Sequence, residues 1–223
     1  MTVHGFYIHV EQALSSTSSQ SYWTIMSPEE HASKGLPPGQ KPIKQHLRWG
    51  KDHPTIGVPV PKIDLESWAL VVDGEIEQPL RLSWNDIQKL PKGESISDFH
   101  CVEGWSVLGC RWEGIRFKII VDLVKPKENA KFVTFHCADG YTTSLSLEEL
   151  LKDNVLLAYK LDGKFLEEGL GAPLRLVVPE KYGYKSAMWL TRINFTSKKE
   201  LGYWESRGYS DSADVWKNDR FAK

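Results

Sequence analysis

Residues 98–107 read Asp-Phe-His-Cys-Val-Glu-Gly-Trp-Ser-Val, which sets an imidazole (His100), a thiol (Cys101) and a carboxylate (Glu103) almost side by side. A cysteine in that company can be a small buried hydrophobe, a nucleophile or a soft ligand for a transition metal. Gly104 permits close backbone approach or a positive φ, and Trp105 and Trp112 are large enough to wall a cavity. A second His-Cys dipeptide, His136-Cys137, and Cys110 complete the three cysteines of the chain. Zinc is therefore an alternative, but its spacing is poor. Structural zinc sites bring ligands in pairs a few residues apart, and no C-x-x-C occurs here. Within a strand, adjacent His and Cys side chains point to opposite faces, so one dipeptide does not readily give two ligands. Cys137 and Cys110 read as core residues, the first ending K-F-V-T-F-H-C and the second packing beside Trp112.

Composition removes several function classes. The 223 residues suffice for one sizeable domain, and 41% are hydrophobic, as in an ordinary soluble protein. Basic and acidic residues number 28 and 29, so charge gives no case for nucleic acid or an anionic membrane as partner. No apolar run approaches the roughly 20 residues that span a bilayer. The N-terminus lacks the basic and apolar regions of a secretion signal, and an odd cysteine count argues against a disulfide framework, so a cytoplasmic location is expected. Nine tryptophans suit a β-rich body with a walled pocket.

The elements that must position these residues follow from patterning. Residues 1–21 read as a serine-rich flexible arm, and 22–223 as a single domain. Its opening segment, 22–62, holds Pro28, Pro37, Pro38, Pro42, Pro54, Pro59 and Pro61, a density that forbids long helices and central strands and implies a wrapping path. Trp23, Leu47, Trp49 and Ile56 lie within it and call for packing. S-W-A-L-V-V-D-G-E-I predicts a strand breaking at Asp73-Gly74. Ser83 with Asp86, and Ser146 with Glu149, have capping-box spacing, so each predicts a strand followed by a helix. I-R-F-K-I-I-V-D-L-V fits a short helix, with a buried strand as the alternative. L-L-A-Y-K-L-D-G-K-F-L predicts a hairpin turning at Asp162-Gly163, and P-L-R-L-V-V-P and S-A-M-W-L-T-R-I-N-F-T predict two further strands before a tail at 201–223. The sum is an α+β domain of mixed, mostly antiparallel sheets with short helices.

D-F-H-C-V-E-G-W-S-V-L-G-C-R-W-E-G-I resembles the segment around the molybdenum-ligating cysteine of sulfite oxidase-like molybdopterin oxidoreductases. It is nearer to their small stand-alone bacterial and archaeal branch, related to the catalytic subunit of the methionine-sulfoxide-reducing molybdoenzymes, than to animal sulfite oxidase. L-P-P-G-Q at 36–40, the strands from Ser67, H-C-A-D-G-Y-T-T-S-L-S-L-E-E-L-L, G-A-P-L-R-L-V-V-P-E-K-Y-G-Y-K-S and G-Y-W-E-S-R-G-Y fall in the family's order, covering about 36–216.

The resemblance implies the sulfite oxidase molybdopterin-binding fold and two-electron oxygen-atom transfer on a small sulfite- or sulfoxide-like substrate. Cys101 would be the metal ligand, beside a single pterin per molybdenum, with Glu103 near the metal and Tyr141 also in a catalytic role. A solvated surface acid is the alternative for Glu103. Arg175 would contact the cofactor through its fixed donors. His100, Thr142, Tyr182, Gly183, Lys185 and Ser186 would complete the binding set, with Lys185 supplying charge toward the pterin phosphate. The pattern departs from the family at Leu170, where a histidine or asparagine is usual, at Met188, where another lysine is usual, and in the closing motif from Ser210 to Trp216. A cofactor-poor or non-catalytic scaffold is the alternative that these departures favour, and His46 or His53 could compensate for them. No haem attachment motif occurs, so no haem, a separate electron-transfer partner and a monomer are expected.

Overall fold

Ser83 opens the first helix as its spacing predicts: its hydroxyl accepts the Asp86 N–H at 3.2 Å, while the Asp86 carboxylate accepts the Ser83 N–H at 3.0 Å. In a computed structural model of the chain, residues 35–56 and 58–223 are described; the expected arm at 1–21, with Trp23 and Pro28, lies outside them. The strands are β1 (Lys41–Pro42), β2 (Ala69–Gly74), β3 (Leu80–Ser83), β4 (Gly93–His100), β5 (Trp105–Arg116), β6 (Phe132–Cys137), β7 (Thr142–Ser146), β8 (Leu156–Leu161), β9 (Lys164–Phe165), β10 (Arg175–Val177) and β11 (Leu190–Thr196). Short helices α1 (Trp84–Lys89), α2 (Phe117–Val124) and α3 (Leu147–Leu150) separate them. The segment from Ile115 with two possible readings is thus strand to Arg116 and helix from Phe117. Phe117, Ile120, Leu123 and Val124 are buried at helical spacing.

Two sheets carry the domain. One runs β3-β2-β11-β6-β7. The other follows β1-β5-β8-β10, with β4 also on β5 and β9 on β8. Pairing is antiparallel except for β1 on β5 and β2 on β11, so the architecture is the mixed α+β arrangement expected. Gly114 lies where β5 crosses β8 at a register shift, and a Cβ there would fall 2.1 Å from the Leu157 carbonyl oxygen. Only glycine lets the strands approach so closely.

The main core joins the inner residues of β2, β3, β6 and β11 to α2, including Leu70, Val72, Phe135 and Ile193 at 0% exposure. Each such side chain stabilises the fold by about 1.5–3 kcal/mol. Cys137 belongs to this core and Cys110 to a second cluster with Trp112, Leu156 and Ala158, as their positions suggested. Trp112 is 1% exposed inside that cluster, so the expectation that it walls a cavity is corrected. Its indole is packed away under β5, while Trp105, at the strand's start, reaches the cavity. Among the described residues no helix is long and apolar enough to cross a membrane.

Candidate active site

The turn between β4 and β5 presents the thiol. Cys101 N–H bonds the Trp105 carbonyl at 2.8 Å and Gly104 N–H the Cys101 carbonyl at 3.0 Å, closing a tight loop with Gly104 at φ +100°. A residue with a side chain adopts that φ only under strain. Cys101 is partly exposed on the wall of a cavity of about 280 Å³. Burial, beside the Glu103 carboxylate, pushes its thiol up to about 12. Without a cation it therefore stays protonated, whereas a bound metal favours the thiolate.

Glu103 reaches back over the thiol. Its Oε2 lies 3.7 Å from Cys101 Sγ and accepts the Trp105 indole N–H at 3.1 Å. The same oxygen is 2.9 Å from His53 Nε2. Partial burial works to raise its pKa, but the Trp105 and His53 hydrogen bonds outweigh it and hold the carboxyl below its ordinary value. Glu103 is half exposed, so it is a surface acid that is also hydrogen-bonded at the cavity wall. His53 comes from the proline-rich segment, stacked against Trp49 with centroids 4.6 Å apart.

The opposite wall comes from the segment around β10. Arg175 is 4% exposed; it donates to the Leu170 carbonyl at 2.9 Å and the Ser186 carbonyl at 3.3 Å. Its guanidinium lies 5.3 Å from the ring centroids of both Phe99 and Trp112. Burial lowers its pKa to about 10, which leaves it charged at neutral pH. Its Nε is buried and finds no hydrogen-bond partner among the described residues. Gly183 packs flat on Phe99, where a Cβ would fall 2.4 Å from the ring's Cζ. Trp189 adopts φ +62°, an outlier for so bulky a residue, held by its indole N–H on the Glu168 carbonyl at 2.7 Å.

Of the site residues expected from sequence, Cys101, Glu103, Tyr141, Arg175, Gly183 and Ser186 line this cavity. His100, Thr142, Tyr182 and Lys185 do not. His100 is buried behind the turn, its Nδ1 2.7 Å from the Ser106 hydroxyl. Thr142 pairs with His136 in the β6–β7 ladder. Tyr182 is fully buried, its hydroxyl on Asn218. The Lys185 ammonium is sealed against Glu205, the Ser144 carbonyl at 3.0 Å and Asp211 at 3.3 Å, so the charge expected for a phosphate is committed internally. Met188 lines the cavity, and Leu170 contributes its carbonyl to Arg175. Sequence reasoning did not single out Trp49, Asp139, Trp189, Trp204 and Tyr209 as walls, although all but Trp49 stand inside blocks it quoted. Among the described residues no three His, Cys, Asp or Glu side chains converge as a metal set, so the zinc alternative has no ligands there. His46 Nε2 and Cys110 Sγ do meet at 3.3 Å, but inside the core, where burial drives both toward their neutral forms.

The donor set fits a molybdenum-bearing pterin at its metal end. A soft sulfur and an orphaned buried guanidinium nitrogen on one cavity suit a large polar cofactor. Residues 57–204 match the family of oxidoreductase molybdopterin-binding domains, and the chain belongs to that family of enzymes. It is 42% identical over 158 residues to the uncharacterized oxidoreductase YuiH of Bacillus subtilis, covering 71% of this chain and 80% of that one. It is 36% identical over 163 residues to the protein-methionine-sulfoxide reductase catalytic subunit MsrP of Campylobacter jejuni, covering 66% of this chain and 54% of the relative. It is 33% identical over 151 residues to a putative protein-methionine-sulfoxide reductase subunit, YedZ1, of Azospira oryzae, covering 68% and 57%. The chain thus spans little more than half the length of these last two relatives. The sulfane dehydrogenase SoxCD of Paracoccus pantotrophus shares the fold, with a TM-score of 0.58 at 20% identity over 88% of this chain and 54% of that one.

Proposed function

We propose that this chain reduces a small, uncharged S-oxide of the sulfoxide type by two-electron oxygen-atom transfer, with the Cys101 thiolate ligating the molybdenum of one molybdopterin. The observation that carries the reading is the placement of Cys101 and Arg175 on one aromatic-walled cavity. The wall disfavours sulfite. An anion needs free positive charge, whereas Glu103 and Asp139 put carboxylates on this surface and Arg175 is tied to backbone carbonyls. Trp49, Trp105, Trp189 and Trp204 suit the apolar flanks of a thioether oxide.

When bound, the cofactor supplies the electron pair and the site that takes up oxygen. The chain's own residues orient and protonate. Reducing a sulfoxide to a thioether consumes two electrons and two protons and releases water, so a proton source is needed beside the thiol. His53 Nδ1 lies 2.7 Å from the Pro54 carbonyl, which can only accept, so that nitrogen carries a hydrogen. Its Nε2 faces the Glu103 carboxylate at 2.9 Å, a contact across which a proton can pass at the cavity wall. Glu103 also fixes Trp105, whose ring packs near Phe99 at the cavity wall. The backbone carbonyls of Leu170 and Ser186 orient Arg175 toward cofactor oxygens.

The test is metal analysis of protein made in a cofactor-competent host. Near-stoichiometric molybdenum and pterin fluorescence after denaturation are expected, both lost in Cys101→Ser. Turnover should occur with an alkyl aryl sulfoxide and fail with sulfite. Metal-free protein, or equal molybdenum in Cys101→Ser, overturns the reading.

A further inference from the structure

The turn that carries Cys101 has its carbonyls claimed by residues from both ends of the described chain. Gln40, in L-P-P-G-Q, donates its Nε2 to the Cys101 carbonyl at 3.1 Å. Its Oε1 accepts the Ser106 hydroxyl at 2.8 Å, and Ser106 in turn holds His100 Nδ1 at 2.7 Å. Gln40 is 8% exposed, so these bonds form away from bulk water. From the tail, Arg220 donates to the Val102 carbonyl at 2.7 Å and to the Gly39 carbonyl at 3.1 Å, with its guanidinium 5.6 Å from the centre of the Tyr182 ring. The Val102 side chain packs on Ala213 and Val215 from the same tail. Lys41 N–H closes the arrangement on the Gly104 carbonyl at 2.9 Å. A Cβ at Gly104 would sit 3.0 Å from the Gly39 carbonyl, so the two turns are in direct contact.

We infer that Gln40 and Arg220 are positioning residues for the Cys101 thiol, acting as a two-sided clamp on the backbone of its turn. The reason is economy of contact. The Cys101 carbonyl, which already accepts the Gly104 N–H within the turn, takes a neutral side chain as its second donor, and the Val102 carbonyl takes a cation. A charge-assisted bond from a fixed guanidinium is the stronger and more directional of the two. The Cys101 and Glu103 side chains face the cavity while the turn's backbone is held from outside. The clamp's value for metal binding rests on the proposed ligation by Cys101; the clamp itself does not.

The experiment separates the two. In metal-free full-length protein, alkylation of each cysteine is followed by iodoacetamide labelling and peptide mass mapping. Arg220→Met and Gln40→Leu should each speed labelling of Cys101 by about tenfold, the equivalent of about 1.4 kcal/mol of local opening, while Cys110 and Cys137 stay protected. Arg220→Lys, which keeps one charged donor, should recover most of the protection. Unchanged Cys101 labelling in both variants overturns the clamp. So does parallel acceleration at all three cysteines, which would make both residues general supports of the fold. In molybdenum-loaded protein, the variants should shift the thiolate-to-metal absorption band relative to wild type. If wild type binds no molybdenum, the functional reading fails and the labelling result still decides the clamp.

Discussion

At the scale of single residues, the arrangement around Cys101 makes separable demands. On the proposed reading, the His53–Glu103 pair serves proton delivery in turnover and not cofactor retention. His53→Phe should therefore lower the rate of sulfoxide reduction by ~100-fold with molybdenum content unchanged, read by steady-state kinetics beside metal analysis. Gly183 makes a different demand. Adding a methyl group drives a Cβ to within 2.4 Å of Phe99 Cζ, and that ring lies beneath Arg175. Gly183→Ala should cost about 1–3 kcal/mol, measured as a lower denaturant midpoint, and should displace the guanidinium with the ring. Cys101 and Arg175 were legible in the sequence because a thiol and an arginine stand inside ordered blocks that a family shares. His53 was legible only as a histidine in a proline-rich stretch. Its meeting with Glu103 depends on a chain path that no periodicity encodes.

At the scale of elements, the strand–cap–helix units could be read directly, since Ser83–Asp86 and Ser146–Glu149 are local chemistry. The parallel pairings could not. Lys41 meets Trp105 and Val71 meets Arg192 across long stretches of chain, and alternation within a strand does not name its neighbour. The segment joining β1 to the cavity wall also places His46 among Phe99, Trp112 and Cys110. Burial, and then the nearby Arg175 charge, lower its pKa from 6.5 to about 3. The folded state thus binds fewer protons than the unfolded chain between those values. Stability is lost as pH falls below 6.5, at up to about 1.4 kcal/mol per pH unit, and the loss levels off near 3. Denaturant midpoints followed from pH 7 to pH 4 should fall more steeply for wild type than for His46→Gln.

At the scale of the whole molecule, a buried ion pair just behind the cavity wall ties the β7 edge to the tail. Lys185 is 0% exposed and joins Glu205 and Asp211 to the Ser144 carbonyl, while Thr143 donates to Glu205 at 2.6 Å. Lys185→Met strands a buried carboxylate and should cost about 3–5 kcal/mol by chemical denaturation; the double change with Glu205→Leu should recover much of it. The resemblance pointed Lys185 toward a phosphate, and only packing of the tail shows its partner, because Glu205 and Asp211 carry no spacing that marks them as its neighbours. The cavity has a consequence in time as well as in space. Its walls run from Trp49 to Tyr209, and β2 waits for β11 before its sheet is complete. A chain still emerging from the ribosome, with its last strand unmade, has a thiol but no pocket around it. A cofactor that needs those walls therefore finds them only once the chain as far as Tyr209 has been made and folded.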